Sequence, residues 1–589
     1  MQRGKYEKTP EKSVSTPKTR QVKKPTARKG EKRSSVGTGQ WWAHVLLSVV
    51  LIFGLCAWWF ISSRPDPGED GGTTGTEPHF TIQIQRPTTP SGTAPIVGTT
   101  APVEDAEMGY SVSSSNPYAT AAGVAILEAG GNAVDAAIAI SYTLGVAEPY
   151  ASGMGGGGCM VIYDPVTEKF TFYNYGAEVP QSRKSWLSLV PGFVSGMEAV
   201  RQDFGTMDYN VLLQPAMQAC DGVVIDSIGA YRIRNASQYL STSSPFYGKN
   251  GFLEEGDTLV QQELKKTLQR LANEGADSFY TGSIAQDIVN NTKLTMGDLA
   301  AYETIKSEAV VGTYREYTIG AAAAPFSGIT LIQMLKMAEA LDIPSPAEDN
   351  GGFLDDLYEM SQKSQYERLR NVYDLRFGSG VNQNEMVTDA YIAKMLNMDI
   401  GDFDEEEECE DTTGFTVIDR NGLTVACTNT LSSFFGCKTS VDGFFMNNTG
   451  YLFGSGVNTY ETGKRPRTHI SPAILVSDDE IIAVASPGGN LITKILANVL
   501  LDIVEFGEEP QTAIDKQRVV FLYGDVLYYE VGYKTPPLAQ ASGYGYPVVP
   551  YSWHPYFGNV ALSGYRTDTG FYATRDVRRC GNGASYNEP

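Results

Sequence analysis

Residues 412–436 read TTGFTVIDRNGLTVACTNTLSSFFG. Two runs rich in β-branched and apolar residues, FTVID and LTVACTNT, read as strands, and Thr412 opens the first. Immediately upstream lies DFDEEEECED (402–411), with eight carboxylates among ten residues. Like charges at that density stay solvated, so an exposed connector is expected there. A threonine at such a junction can serve as a nucleophile without a histidine, provided cleavage frees its own backbone amine to accept the hydroxyl proton. By itself, a threonine opening a strand is only a good β-former.

Working outward, AILVS (473–477) and IIAVAS (481–486) add strands, and LITKILANVLLDIVEF (491–506) reads as a helix. Far upstream, NPYATAAGVAILEAGG (116–131) carries a cap at Asn116, a proline at the first helical position and a Gly130, Gly131 stop. Asn132 then caps an alanine-rich helix that closes at Pro149 and leads through glycines into the strand CMVIYD (159–164). Helices and strands are mixed throughout, which predicts an α+β or layered α/β fold. The glycines at 153–158 match GxGxxG literally, but a helix precedes them and a strand follows, the reverse of a dinucleotide site. Close backbone packing or a catalytic-site wall is the expected role.

Residues 1–40 hold twelve Lys/Arg against three Glu, whereas the remaining 549 hold 34 basic and 65 acidic residues. So acidic a bulk repels phosphate backbones, and no nucleic-acid partner is expected. Residues 41–61, WWAHVLLSVVLIFGLCAWWFI, contain no Asp, Glu, Lys or Arg and have tryptophan pairs at both ends. At 1.5 Å per residue this stretch spans roughly 30 Å, as a transmembrane signal anchor would. The expected layout is a basic cytoplasmic tail (1–40), the anchor (41–61) and a flexible Gly/Thr/Pro stalk (62–105), giving a single-pass type II membrane protein with its catalytic part extracytoplasmic. Seven dispersed cysteines without CxxC indicate no zinc ribbon, and four histidines make a multi-histidine metal site improbable. With only His469 and His554 beyond the stalk and no GxSxG elbow, a Ser-His-Asp triad is weakly supported.

From about Tyr110 to the C-terminus the chain resembles the γ-glutamyltransferases. The resemblance rests on NPYATAAGVAILEAGGNAVDAA, EPYASGMGGGG, VPGFVSG, TTGFTVIDRNGLTVACTNTLSSFFG, KRPRTHISP and ASPGGN, in that order. It implies an α+β, four-layer αββα sandwich of the N-terminal-nucleophile hydrolase type. It also implies a precursor that cuts itself between Asp411 and Thr412 into a large portion (106–411) and a small portion (412–589) that stay together. Thr412 matches the nucleophile, Thr430 the threonine hydrogen-bonded to it, and Gly488 and Gly489 the oxyanion-hole glycines. No cofactor is implied.

The family's clamp for the substrate's α-amino and α-carboxylate groups is altered. Gly176 stands where an arginine is expected, Ser432 where an asparagine is, Thr449 and Leu452 where an acidic pair is, and Thr468 and His469 where a serine pair is. Arg467 is the nearest candidate by sequence for holding a carboxylate. The implied reaction is cleavage of γ-glutamyl amides (glutathione, γ-glutamyl peptides or poly-γ-glutamate), with transfer to water or an amino acid. Two alternatives stay open: an amidase of the same fold acting on another acyl group, and a surface-anchored binding module without turnover.

Overall fold

The computed structural model describes residues 78–82, 109–378, 382–401, 403, 411–522, 524–531, 543, 545–552 and 554–588. The chain divides into two units, Met1–Gly75 and Thr76–Pro589, and every described residue belongs to the second. The apolar run 41–61, nearly all of the stalk, and residues 402 and 404–410 of the acidic run lie outside the described residues. No helix among those described is long and apolar enough to cross a membrane.

Two large sheets are built from β1 (Gly109–Ser114), β2 (Gly157–Asp164), β3 (Lys169–Asn174), β4 (Ile305–Glu308), β5 (Val310–Tyr314), β6 (Tyr317–Ala321), β7 (Asp411–Ile418), β8 (Thr424–Ser432), β9 (Ala473–Val476), β10 (Glu480–Ala485), β11 (Ala561–Arg566), β12 (Gly570–Ala573) and β13 (Asn582–Asn587). The first runs β13-β1-β7-β8-β2-β3-β4 and the second β12-β11-β10-β9-β6-β5. All of their neighbouring strands are antiparallel. Strands on either side of the 411/412 junction interleave, since β1 is bonded between β13 and β7, and β9 pairs with β6. A cut at that junction therefore leaves two pieces that share both sheets.

The helices begin where local chemistry says they should. In α1 (Pro117–Glu128) the Asn116 side chain accepts from Tyr118 N–H at 3.0 Å. In α2 (Ala133–Ala147) Asn132 and Asp135 form a reciprocal capping box, and Gly130, at φ +93°, turns the chain between the two helices. Period-two alternation then decides which core each strand residue enters. Met160 and Ile162 of β2, Phe415 and Val417 of β7, and Val425 and Cys427 of β8 pack with α1 and α2. Cys159, Val161, Tyr163 and Ala426 face the opposite way, into the core containing β6, β9, β10 and the helices α3 (Gly328–Leu341) and α4 (Ile492–Val504). With both faces buried, the central strands lack the polar alternation of an exposed sheet.

Below the C-terminus of α2, Glu148 is buried at 6% exposure. Burial, reinforced by nearby Asp226, pushes its carboxyl up to about 8 from 4.5, against the pull of Arg579. Because the folded-state value lies above the unfolded one, this group favours folding below pH 4.5, and that contribution is lost as pH rises toward 8. Glu148→Gln is expected to remove the loss, stabilising the chain at pH 8 by an amount on the order of 4 kcal/mol, with the gain shrinking toward pH 5. Urea unfolding at both pH values checks this; equal effects at the two would refute it.

Candidate active site

Thr412 sits where the β7/β8 ladder breaks register. Asp411 pairs with Ser432 and Thr413 with Asn429, so Thr412 alone faces two residues, Thr430 and Leu431. Such a bulge re-aims side chains at the end of a strand. Here it places the Thr412 hydroxyl 3.4 Å from Thr430 Oγ1, which also accepts from Ser432 N–H at 2.8 Å. The neighbouring Thr413 points the other way and donates to Ser152 Oγ at 3.0 Å, tying β7 to the loop before β2.

The glycine run forms the adjoining wall. A Cβ on Gly156 would lie 2.3 Å from Thr430 O, one on Gly157 2.7 Å from Ala177 N, and one on Gly158 2.3 Å from Thr428 O. No side chain fits there, because backbone meets backbone; this is the packing role that the order helix, glycines, strand suggests. Gly157 and Gly158 line a cavity together with Thr412, Thr430, Ser432, Thr449 and Thr468, walled by Phe326, Leu452 and Ile470. Five hydroxyl-bearing residues thus share one largely apolar pocket. Ser432 holds a left-handed backbone, φ +80°, and its buried Oγ has no hydrogen-bond partner among the described residues. Strain and an unmet hydroxyl at the same position are features that collect at binding sites.

The two arginines of KRPR divide differently from expectation. Arg465 lines the cavity, and its Cδ lies 3.6 Å from the position a Cβ on Gly176 would take. Its guanidinium is committed: Nε to Glu178, Nη1 to Asn174 O and Oδ1, and Nη2 to Glu303 O and Glu178. Four of the five N–H donors are hydrogen-bonded, and the charge is paired with Glu178. Arg467 is not at the cavity. Its Nη1 donates to the carbonyls of Leu369 at 2.9 Å and Val372 at 3.2 Å, capping the C-terminal end of the helix Asn350–Asn371. Its neighbour Thr468 does reach the cavity, whereas His469 is buried behind it. Burial, then Arg368, Lys494 and Arg467, holds the His469 imidazole far below its ordinary value, hence neutral.

Gly488 and Gly489 lie in the turn between β10 and α4, with φ +143° and +55°. The turn's own bond runs from Leu491 N–H to Gly488 O at 3.1 Å, leaving both glycine N–H groups without an acceptor among the described residues. They do not line the cavity around Thr412, but their turn abuts β7, since a Cβ on Gly414 would lie 3.1 Å from Ser486 N.

Sequence reading missed Arg465, and it missed Asn447, whose side chain accepts from Leu189 and Thr449 N–H and donates to Gly155 O and Leu189 O. Arg465 stands inside the quoted KRPRTHISP and Asn447 two residues before Thr449, and nothing else in the sequence marks either. Thr430→Val, which removes the hydroxyl facing Thr412, is expected to lower kcat by roughly 10- to 100-fold while the chain stays folded. Steady-state kinetics checks this, and an unchanged kcat would deny Thr430 any part in the reaction.

The sequence profile of the gamma-glutamyltranspeptidase family matches residues 119–586. The capsule biosynthesis protein CapD proenzyme of Bacillus anthracis is 39% identical over 419 residues, covering 70% of this chain and 78% of that protein. The glutathione hydrolase proenzyme of Escherichia coli K12 is 29% identical over 464 residues, covering 69% of this chain and 80% of its own. In fold, the chain is similar to the crystal structure of cephalosporin acylase from Bacillus halodurans, with TM-score 0.72, 22% identity and coverage of 86% of this chain and 99% of that one. On a match spanning most of its length, the chain belongs to the gamma-glutamyltranspeptidase family of self-processing enzymes.

Proposed function

We propose that Thr412 is the nucleophile of a γ-glutamyl hydrolase or transferase that first cuts its own chain. The observation that carries this is the Thr412 hydroxyl beside Thr430 Oγ1, in a pocket, on the strand that follows the acidic run. In maturation, Thr412 Oγ attacks the Asp411 carbonyl and the peptide C–N bond breaks, leaving an ester and a free Thr412 amine. Water then hydrolyses the ester, and residues 106–411 and 412–589 remain joined through their shared sheets. In turnover the freed amine accepts the hydroxyl proton as Oγ attacks a γ-glutamyl amide, and the amine leaving group departs protonated. Water or an amino acid resolves the acyl-enzyme. Gly488 and Gly489 N–H groups would meet the oxyanion, and Ser432, Thr449 and Thr468 the bound glutamyl unit.

The two sheets with helices on their outer faces support the four-layer αββα arrangement of N-terminal-nucleophile hydrolases. The charge-free run 41–61 behind a basic head supports a type II membrane anchor with the catalytic part outside the cytoplasm. The test of function is release of p-nitroaniline from γ-glutamyl-p-nitroanilide by purified, processed chain, competed by glutathione. A processed enzyme that ignores both compounds would sink the γ-glutamyl assignment. One observation favours the second reading, an amidase acting on another acyl group: Arg465, the cation lining the pocket, gives four of its five donors and its charge to the chain's own groups. Cleavage of an uncharged acyl amide, uncompeted by glutathione, would select that reading.

A further inference from the structure

The turn that carries Gly488 and Gly489 has little within it to hold its shape. Both residues stand at positive φ, and the bonds inside the turn among the described residues are Leu491 N–H to Gly488 O at 3.1 Å and Ser486 Oγ to Pro487 O at 2.7 Å. Neither bond sets the direction of the two glycine N–H groups, and glycines rotate readily unless something outside the turn stops them. That outside support is segment 557–560, which leads from the 3₁₀ turn His554–Phe557 into β11. Gly558, at φ +78°, lies against the turn with backbone alone. A Cβ there would collide with Pro487 O and sit 2.8 Å from Ser486 Oγ, and a Cβ on Gly488 would lie 3.6 Å from Gly558 Cα.

The same segment is clamped by charge. Arg518 Nη1 donates to Phe557 O at 2.6 Å, Asp576 Oδ2 accepts from Val560 N–H at 2.8 Å, and the two side chains pair at 2.6 Å. Asn559 donates to Asp576 O at 2.8 Å. Glu530 accepts from Arg518 N–H at 3.0 Å and pairs with Arg578, which also reaches Asp576 at 3.3 Å. All four charged side chains are buried. Desolvating four charges is costly, and well-packed apolar residues of like volume often stabilise a core as much or more. What this network supplies is geometry, because it fixes Phe557 O and Val560 N–H on either side of Gly558. We propose that Arg518 and Asp576 are positioning residues for the oxyanion turn. They hold segment 557–560 so that Gly558 backs Pro487, and the Gly488 and Gly489 N–H groups stay aimed while negative charge develops on the substrate. The proposal rests on the reading of those two glycines as oxyanion donors and adds what aims them.

Two variants test it on γ-glutamyl-p-nitroanilide, with rates taken per processed chain. Gly558→Ala presses on Pro487 O, and Arg518→Lys keeps the charge without the planar fork that reaches Phe557 O and Asp576 together. Each is expected to lower kcat roughly 10- to 100-fold with KM within about twofold, at temperatures where circular dichroism shows the variant folded. Where one does not fold, the other carries the test. A boronic acid analogue of the γ-glutamyl group, whose tetrahedral adduct with Thr412 carries the oxyanion, should lose affinity in step with kcat. Combined with Gly488→Ala, each variant should cost no more than the worse single change, because both act through one turn; an unrelated structural defect would multiply the losses. Unchanged kcat in a folded variant, a loss confined to KM, or multiplied losses in the double variant overturns the positioning role alone. If Gly488→Ala leaves kinetics unchanged, the oxyanion reading itself falls, and the proposal with it.

Discussion

Thr412→Ala is expected to leave the chain uncut and to lower turnover by on the order of 10⁴-fold or more. Both effects follow from one atom. On the proposed mechanism, removing Oγ leaves no nucleophile to attack the Asp411 carbonyl and none to attack a substrate, and the uncut chain would also lack the free amine that accepts the proton. The fold should survive, because Thr412 contributes one 3.4 Å hydrogen bond and its neighbours Thr413 and Gly414 keep the packing of β7. A stability change within roughly 1 kcal/mol is therefore expected. Thr412→Ser should still process and turn over, more slowly. N-terminal sequencing of the smaller fragment checks the point: in wild type it begins at Thr412, and in Thr412→Ala it should not form. Processing at another bond, or processing by the alanine variant, would remove Thr412 from both roles.

The fold was legible where the deciding chemistry is short-range. Asn116 with Pro117, and Asn132 with Asp135, announce helix starts because a cap involves only neighbours in sequence. Strands 411–418, 424–432, 473–476 and 480–485 were legible from composition, and the glycine run from the order of elements around it. Sheet order was not, since β13 reaches β1 across more than four hundred residues and nothing local encodes that pairing. The site divides in the same way. Thr412 and Thr430 stand in the quoted stretch, yet the bulge that turns them toward each other depends on register between two strands. Arg467 is the sequence candidate by its place beside Thr468, and Arg465 goes unnoticed; what separates them is Glu178 and Asn174, some 290 residues upstream, which draw in Arg465, and the end of a helix, which takes Arg467. Residues 402 and 404–410 of the acidic connector and the 41–61 span, clear as composition, lie outside the described residues.

Gly488→Ala is expected to cost turnover roughly 10²- to 10³-fold, the loss typical when a donor to a developing oxyanion is displaced. At φ +143° an L side chain is strained whatever the space, so the chain would rotate Gly488 toward an ordinary conformation and carry the Gly488 and Gly489 N–H groups with it. The added methyl itself would press on the flexible end of Ile495, at 3.3 Å, with Gly558 Cα and Ile492 Cγ1 at ordinary contact distances of 3.6 and 3.7 Å. Lost stability should then stay near 1–3 kcal/mol, the cost of one strained residue, too little to unfold a chain this size. The catalytic loss should fall on kcat rather than KM, because the oxyanion exists only in the transition state and not in bound substrate. Self-cleavage also forms a tetrahedral oxyanion at Asp411, and if the same N–H groups serve it, precursor should accumulate in the variant. Kinetics well below the melting temperature, with the uncut fraction measured alongside, separates the possibilities. A raised KM at constant kcat would place these glycines in substrate binding, and unchanged kinetics would take the oxyanion hole away from this turn altogether.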